Sequence, residues 1–585
     1  MRIVNAIVLF SVAMLAFACA QKDTGNFKIN LKLPENIINN CATDWKYEDF
    51  VDDFCIVKND SIELTVFSTD KMSNPYVLDE TKIFPVTGQT SGDTEFSRSL
   101  RTNRYYKFFV KITNEREKVK LTGGVEGIYY EETKNFEVNI FLGLAGDFVR
   151  LVSDQNEKSS LETYIPEDEG SSGARAAVFK DGRVFLAGGA VFNSNGDEIF
   201  EKSTNFISTK DLKVEKGPSL KEAVKDHVVA LLDATGSNTG KMVIAFGATQ
   251  NGYNNKVYLF DPDKNSIETK GGSFTGGAHA RALTIGGEVY ISGGCDAGAA
   301  SPQVIKIDKA GNASIWQTMK QGRCLHGMVD VSYKDGEGVL HPAILVFGGA
   351  KKNIFDSTNR DLIGYNGESF AEIIDESGVA DIAIAGVGCQ TSGDQTLCFT
   401  LAGHAATRIT WDDANKGPTA DVVAVASAGF IQSANDADLT LSLNNYVIRG
   451  VGDSTKPREL AWTLNSYGTS IKCAYADMAP ISSPESFPVQ YAALNCGTGD
   501  SVARSYDKRV EQQVYVIEVR AAPKTGSDGF DLVASARAGI TGASTDINNP
   551  GLFLDGPVAV NHFGQAFLFG TRYVYLVSGF SYGTY

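Results

Sequence analysis

Five basic side chains recur at one place in a repeated pattern. Arg175, His227, His279, Arg281 and His326 each stand at, or just before, a short apolar run, as in Arg175-Ala176-Ala177, Arg281-Ala282-Leu283 and His326-Gly327-Met328. Basic groups that share one offset in a repeat can converge in the folded chain. There they would form an anion-binding ring, suited for example to the carboxylate of an acidic glycan. The competing reading is a repeat residue that hydrogen-bonds the neighbouring repeat, since the period alone explains the recurrence. Arg175, His227, Arg281 and His326 are the candidate binding residues.

Other chemistry is harder to place. Asp44, Glu48, Asp49, Asp52 and Asp53 crowd between Cys41 and Cys55. Closely spaced carboxylates suit Ca²⁺, but the ordered Asp-x-Asp-x-Asp-Gly spacing is missing, and a solvated acidic loop is the preferred reading. Gly-x-Ser-x-Gly with a triad order, a phosphate-binding glycine loop and His-Glu-x-x-His are all absent. No catalytic residue, metal or cofactor is expected.

The N-terminus carries an address. One charge, Arg2, precedes an apolar run from Ile3 to Phe17, and then come Ala18-Cys19 and a polar stretch. That order describes a secretory signal over residues 1–18, too short and wrongly flanked for a membrane-spanning helix. Ala16-Phe17-Ala18-Cys19 resembles the lipobox of bacterial lipoproteins, with Ala16 where that family usually has Leu. The resemblance implies lipid attachment at Cys19. An ordinary Ala-x-Ala cut releasing the chain is the alternative. The chain has nine cysteines. Without Cys19 the rest fall into close pairs, Cys41/Cys55, Cys295/Cys324, Cys389/Cys398 and Cys473/Cys496, as disulfides of an exported protein would. The expected location is the cell envelope, at the outer membrane through the lipid. A net charge of −16 makes nucleic acid a poor partner.

These residues need a scaffold, and a repeat supplies it. Short β runs ending in glycine recur after residue 170: Val184 to Gly189, Val243 to Gly247, Val289 to Gly294, Ile344 to Gly349 and Cys398 to Gly403, with weaker copies ending at Gly450, Gly497 and Gly570. Each has a β run before it, such as Ala176 to Phe179 or Met328 to Val331. A third strand follows, as in Val257 to Phe260, Val304 to Ile307, Arg408 to Trp411 or Val514 to Ile517. A shorter fourth follows in places, as in Ala313 to Trp316. Four antiparallel strands per unit make a propeller blade.

A spacing near 50 residues with a glycine pair resembles the kelch family of β-propellers. The resemblance covers about residues 173–585. The family's later aromatic is met only at Trp316, Trp411 and Trp462. Counting copies gives eight blades, with seven as the alternative. The last copy is followed by Tyr573 to Val577 and then the chain ends, one strand short. Phe148 to Val152 is a strand without a hairpin partner, and it can complete that blade and remove an exposed edge. Some kelch-like propellers are enzymes, notably the galactose oxidase group, which holds copper with two His and two Tyr, one Tyr cross-linked to a free Cys. His404 is one conceivable ligand, but no second His is placed with it, and the paired cysteines leave none for the cross-link.

Residues 26 to about 145 read differently. Phe27 to Leu33 and Ile62 to Phe67 alternate apolar and polar, and Arg104 to Thr113, Lys118 to Leu121 and Phe136 to Leu142 are further strands. They suggest a β-sandwich of immunoglobulin-like or transthyretin-like type. It resembles the stalk modules that follow the anchor in bacterial surface lipoproteins.

The expectation is an all-β chain: a signal peptide over 1–18, a β-sandwich over 19–145 and a kelch-like β-propeller of seven to eight blades over 146–585. The function expected is that of a lipid-anchored binding or scaffold protein presenting the propeller to a protein or glycan partner, rather than an enzyme. A propeller enzyme acting on a carbohydrate, galactose-oxidase-like or glycosidase-like, is the alternative.

Overall fold

In the computed structural model the chain is all-β, with one short 3₁₀ turn at Pro457–Glu459 among the described residues. The structure describes residues 24–32, 59–70, 77–86, 94–115, 119–130, 136–144, 149–150, 173–192, 198–208, 214–354, 362–364, 368–387, 389–392, 395–411, 417–432, 439–469, 471, 473–481, 489–497, 513–525, 529–541, 558–562, 565–569 and 574–577. The expectations for residues 1–18, Cys19, Cys41, Cys55 and the acidic run between them fall outside these. Residues 1–33 and 37–142 make one compact unit, and 34–36 with 143–585 the other.

The first unit has two sheets. In one, Thr24–Lys32 runs antiparallel to Thr94–Arg101 and parallel to Phe136–Phe141. In the other, Val77–Pro85, Ser61–Thr69, Arg104–Thr113 and Val119–Tyr130 lie in that order. Period-2 alternation decides which face is buried: Tyr106, Phe108, Val110 and Ile112 point inward while their neighbours are half-exposed. The strands at Val77–Pro85 and Thr94–Arg101 have no counterpart in the sequence reading. The first is an edge strand with exposed apolar residues, so its pattern carries no inward face to read.

The second unit is built from a recurring meander of four antiparallel strands. The first is Arg175–Val178, Arg183–Ala187, Thr204–Ser208 and Val214–Lys216. Six more follow, with first strands at Val228–Leu232, Arg281–Ile285, Gly327–Asp330, Ala405–Ile409, Ala474–Ile481 and Val558–His562. Each of these first strands lies against the first strand of the next sheet, and Val558–His562 lies against Arg175–Val178. The described sheets therefore form a closed, propeller-like ring of seven, with their first strands innermost. The second strands are nearly continuous apolar runs, such as Arg183–Ala187 and Ala343–Phe347, because both faces of each blade pack on neighbours.

The ring is closed by a mixed blade. Val574–Val577 pairs antiparallel with Val149–Arg150, opposing Tyr575 to Arg150 and Leu576 to Val149. A strand from before the first blade thus supplies the fourth strand of the last.

Counting glycine-ended runs gave eight because two of them belong to one blade. Cys398 to Gly403 is not a second strand. Gln395–Cys398 pairs with Cys389–Ser392 in a separate two-stranded ribbon, and Gly403 precedes the innermost strand Ala405–Ile409. That blade's second strand is Val422–Ser427, and its turn is Ala428-Gly429. Gly450 lies in the third strand, Asn444–Val451. Arg408 and Ile409 end the innermost strand rather than forming a third, with Trp411 buried just beyond. Ala428 hides the repeat because it is a non-glycine residue with φ of 66°, the conformation that Gly188, Gly293 and Gly348 adopt at the same place.

Candidate functional site

Two features of the repeat position the channel residues. The first is the turn after each second strand. Its second glycine donates N–H to the segment entering the next blade: Gly189 to the Val224 carbonyl at 2.8 Å, Gly247 to Gly277 at 3.1 Å, Gly294 to Arg323 at 3.0 Å, Gly349 to Leu401 at 2.8 Å and Gly429 to Cys473 at 2.9 Å. Glycine is needed because the backbone around it is so close. A Cβ on Gly349 would stand 2.7 Å from the Cys324 carbonyl oxygen.

The second feature is a left-handed residue just ahead of the innermost strand, at Gly173, Asp226, His279, Leu325 and Gly403, and at the irregular start of that strand at Tyr475. Non-glycine residues there carry strain of roughly 1–2 kcal/mol each. Inter-blade hydrogen bonds hold them: Asp226 N–H to the Gly173 carbonyl at 2.8 Å, His279 to Asp226 at 2.9 Å, Leu325 to His279 at 3.1 Å, Gly403 to Leu325 at 2.7 Å and Ala476 to Gly403 at 3.3 Å. Together they make a collar of backbone bonds around one end of the channel through six blades. The seventh blade's corresponding residues lie outside those described.

One residue beyond the collar stand His227, His326 and His404, all fully buried. They do not face the channel as a basic ring. They pack into the seams between blades, where a Cβ on Gly188 would lie 2.9 Å from His227 Cε1 and one on Gly293 2.9 Å from His326 Cε1. His326 Nε2 meets Ser292 Oγ at 2.7 Å, and His404 stacks on Phe347. Desolvation, then Arg175, pulls His227 down to about 3. Desolvation, then Arg281, does the same to His404. His326 is held well below its ordinary value by desolvation and then Arg281. In all three, burial favours the neutral imidazole. In the seams they contact the preceding blade, His326 through Ser292 and His404 through Phe347.

Two residues beyond the collar the side chains differ by blade: Arg175, Val228, Arg281, Gly327, Ala405 and Asp477. All of these but Ala405, whose neighbour Ala406 takes its place, line a chamber of about 370 Å³ on the channel axis, together with Asp330 and Arg408 further along their strands. Arg281 donates Nε–H to the His326 carbonyl at 3.1 Å and Nη2–H to the His404 carbonyl at 2.9 Å, which leaves Nη1 with no partner among the described residues. Desolvation lowers its pKa, Asp477 opposes that, and Arg175 adds to it. Arg175 lies 3.6 Å from the Asp226 carboxylate. Arg408 donates Nη1–H to the Asp330 carbonyl at 3.2 Å, while its buried Nε has no partner.

Of the four predicted binding residues, the structure brings Arg175 and Arg281 to the chamber wall; His326 borders it beside Arg281, whose Nε–H its carbonyl accepts, while its ring and that of His227 sit in the seams. Sequence reasoning missed Arg408, Asp330 and Asp477. Arg408 and Asp330 sit three residues further along the innermost strand than Arg281's position, so a search at one offset passes over them. Asp477 is at the right offset but of opposite charge. No group of three or more His, Cys, Asp or Glu able to hold a metal occurs among the described residues.

Cys295 and Cys324 form a disulfide. It ties the turn after the third blade's second strand to the segment entering the fourth blade. Cys473 is also disulfide-bonded, beside Ala474, which pairs with Gly497. Cys389 and Cys398 face each other in register, in the separate ribbon rather than in a blade hairpin. The side chains of Cys389, Cys398 and Cys496 lie outside those described.

No protein-family model and no curated protein matches the chain. Among solved structures, that of YjhT aligns over 63% of this chain and 97% of its own, at 12% identity and a TM-score of 0.37. No helix among the described residues is long and apolar enough to cross a membrane.

Proposed function

We propose that this is an exported, lipid-anchored binding protein of the cell envelope, kelch-like in its repeat, whose propeller holds an acidic group of a glycan or protein partner in the channel chamber. The observation that carries the reading is Arg281. Two of its donor groups are spent on carbonyls of neighbouring blades, which fixes the guanidinium, and Nη1 remains for a ligand in a chamber that Arg175 and Arg408 also line. A preorganised guanidinium binds carboxylate at little entropic cost. The volume lies in the range that holds small ligands. The Cys295–Cys324 disulfide supports an oxidising compartment and hence export. Anchoring at Cys19 at the outer membrane rests on the lipobox-like Ala16-Phe17-Ala18-Cys19, and Cys19→Ala is expected to move the protein from the membrane to the soluble fraction.

The test is calorimetric titration with galacturonate. Binding is expected, weakening with salt and falling at least tenfold, or 1.4 kcal/mol, in Arg281→Gln. Unchanged affinity in that variant overturns the reading. The enzyme alternative keeps one specific support, since the Asp330 and Asp477 carboxylates share the chamber and glycoside hydrolysis uses paired carboxylates. Proton NMR of acidic oligosaccharides incubated with the protein separates the two, because a binder leaves every linkage intact.

A further inference from the structure

We infer that the chamber has a single mouth, on the face that carries the turns between first and second strands, and that an acidic ligand enters it end-on. The ligand's acidity is taken from the preceding reading. The single mouth rests on the described residues of six blades.

The argument follows exposure along the innermost strands. At the collar the side chains are shut away: Asp226 is 1% exposed, His279 5%, Leu325 2% and Tyr475 3%. Behind them lies an apolar cluster that includes Leu325, Tyr475, Phe430, Leu439 and the Cys295–Cys324 pair. It is supplied jointly by the connections between second and third strands and by the segments entering the blades. The free space at the collar shrinks to about 10 Å³, room for one water at most. Two residues further on, Arg175, Arg281 and Asp477 are half-exposed. At the far end of the same strands Thr284 and Pro480 are exposed. Among the described residues, solvent therefore reaches the arginines from the turn face and not through the collar.

The collar's hydrogen bonds explain why this end stays shut. Opening it would break a run of inter-blade bonds and expose the apolar cluster together. A chamber with a floor cannot let a polymer thread through. It accepts a free small acid or the terminal unit of a chain, with Arg175 and Arg281 at the floor and Arg408 and Asp330 nearer the mouth.

The test measures access without any ligand. Ala406→Cys places a thiol on the chamber wall, and its modification by a sulfonated methanethiosulfonate is timed. Adding Pro480→Trp at the mouth is expected to slow the reaction several-fold. Adding Ala297→Trp, in the exposed loop on the collar face, is expected to leave it unchanged. A thiol slowed by Ala297→Trp and not by Pro480→Trp overturns the single mouth, as does one indifferent to both. Ala176→Cys serves as a second reporter should Ala406→Cys fail to fold. End-on entry is tested with trigalacturonate and long polygalacturonate at equal uronate concentration. Apparent affinity per uronate is expected to fall in proportion to chain length, following the number of ends. Equal affinity per uronate overturns end-on entry. If neither acid binds, the failure belongs to the acidic-ligand reading, and the thiol rates still decide the mouth.

Discussion

Arg281, in the third blade, donates Nη2–H to the carbonyl of His404, in the fifth, at 2.9 Å and across 123 residues of sequence. Its Nε–H goes to His326 in the fourth. One side chain thus ties three consecutive blades at the floor of the chamber while keeping a donor for a ligand. Its structural and binding roles are separable by substitution. Arg281→Lys keeps the charge but cannot span both carbonyls, and a buried carbonyl left unpaired costs about 1–3 kcal/mol. The melting temperature is expected to drop in Arg281→Lys and in Arg281→Gln alike, with galacturonate affinity retained in part only by the lysine. A calorimetric melt with and without galacturonate reads both.

The seam histidines make stability depend on pH. His227 and His404 are held at about 3 in the folded chain, against about 6.5 in an unfolded one. The unfolded state therefore binds more protons below pH 6.5, and stability falls as pH drops from there toward 3. The linkage is about 1.4 kcal/mol per pH unit per group, so roughly 2 kcal/mol for each histidine at pH 5 relative to pH 7.5. Melting temperature is expected to fall steeply over that interval. The slope is expected to be shallower in His227→Gln, whose side chain does not titrate. A slope unchanged in that variant would place the acid sensitivity elsewhere.

The glycine pair gives a sharp contrast within one residue type. Gly293 has φ of 68°, and a Cβ there would stand 2.0 Å from the Arg323 carbonyl oxygen, in the next blade's entry segment. Gly336 has open space and no left-handed backbone. Gly293→Ala is expected to destabilise by about 3 kcal/mol or more, combining strain and forced separation of two blades. Gly336→Ala is expected to stay within about 0.5 kcal/mol of the parent. Chemical denaturation of the two variants side by side decides it.

How much of this was legible in the sequence follows the physics of each element. The second strands were readable because burial on both faces writes a continuous apolar run, and the glycine pairs because a left-handed turn against a neighbouring backbone selects glycine. Where Ala428 adopts the same turn, that signal vanished and the fifth blade was split in two. The ring closure at Val149–Arg150 was readable because an unmatched strand before the first blade and a missing one after the last are both visible as counts. The chamber was only half readable. Arg175 and Arg281 share an offset, but Arg408 and Asp330 come from a later turn of the same strands, and nothing in a linear pattern shows that two offsets meet in one cavity. The histidines share their offset too, and a sequence cannot tell a seam position from a channel position.

The Cys295–Cys324 bond spans 29 residues of sequence and crosses a blade seam, so its loss acts where the collar cluster is held. Chain entropy alone predicts a loss of roughly 3–4 kcal/mol for a loop of that size. The serine double variant of Cys295 and Cys324 is expected to melt lower. Its thiol probe at Ala406→Cys is expected to become less sensitive to Pro480→Trp, because a loosened collar admits reagent from the other end.

The closing blade gives the last prediction. The sheet that seals the ring joins Val574–Val577 to Val149–Arg150, strands drawn from either side of the six preceding blades. A stack of blades without that joint has two exposed edges, and each inner strand at the break loses a neighbour. Removing residues 571–585 deletes the strand that pairs with Val149–Arg150 and uncovers Gln565–Phe569, so the effect is expected to spread through the ring rather than fray one end. The truncated protein is expected to melt several degrees lower and over a broader range than the parent. Hydrogen exchange should also quicken in the first blade at Arg175–Val178, which lies against Val558–His562 in the closed ring. A truncated protein that keeps the parental melting temperature, with exchange altered only after residue 558, would show that the six complete blades hold together without the joint.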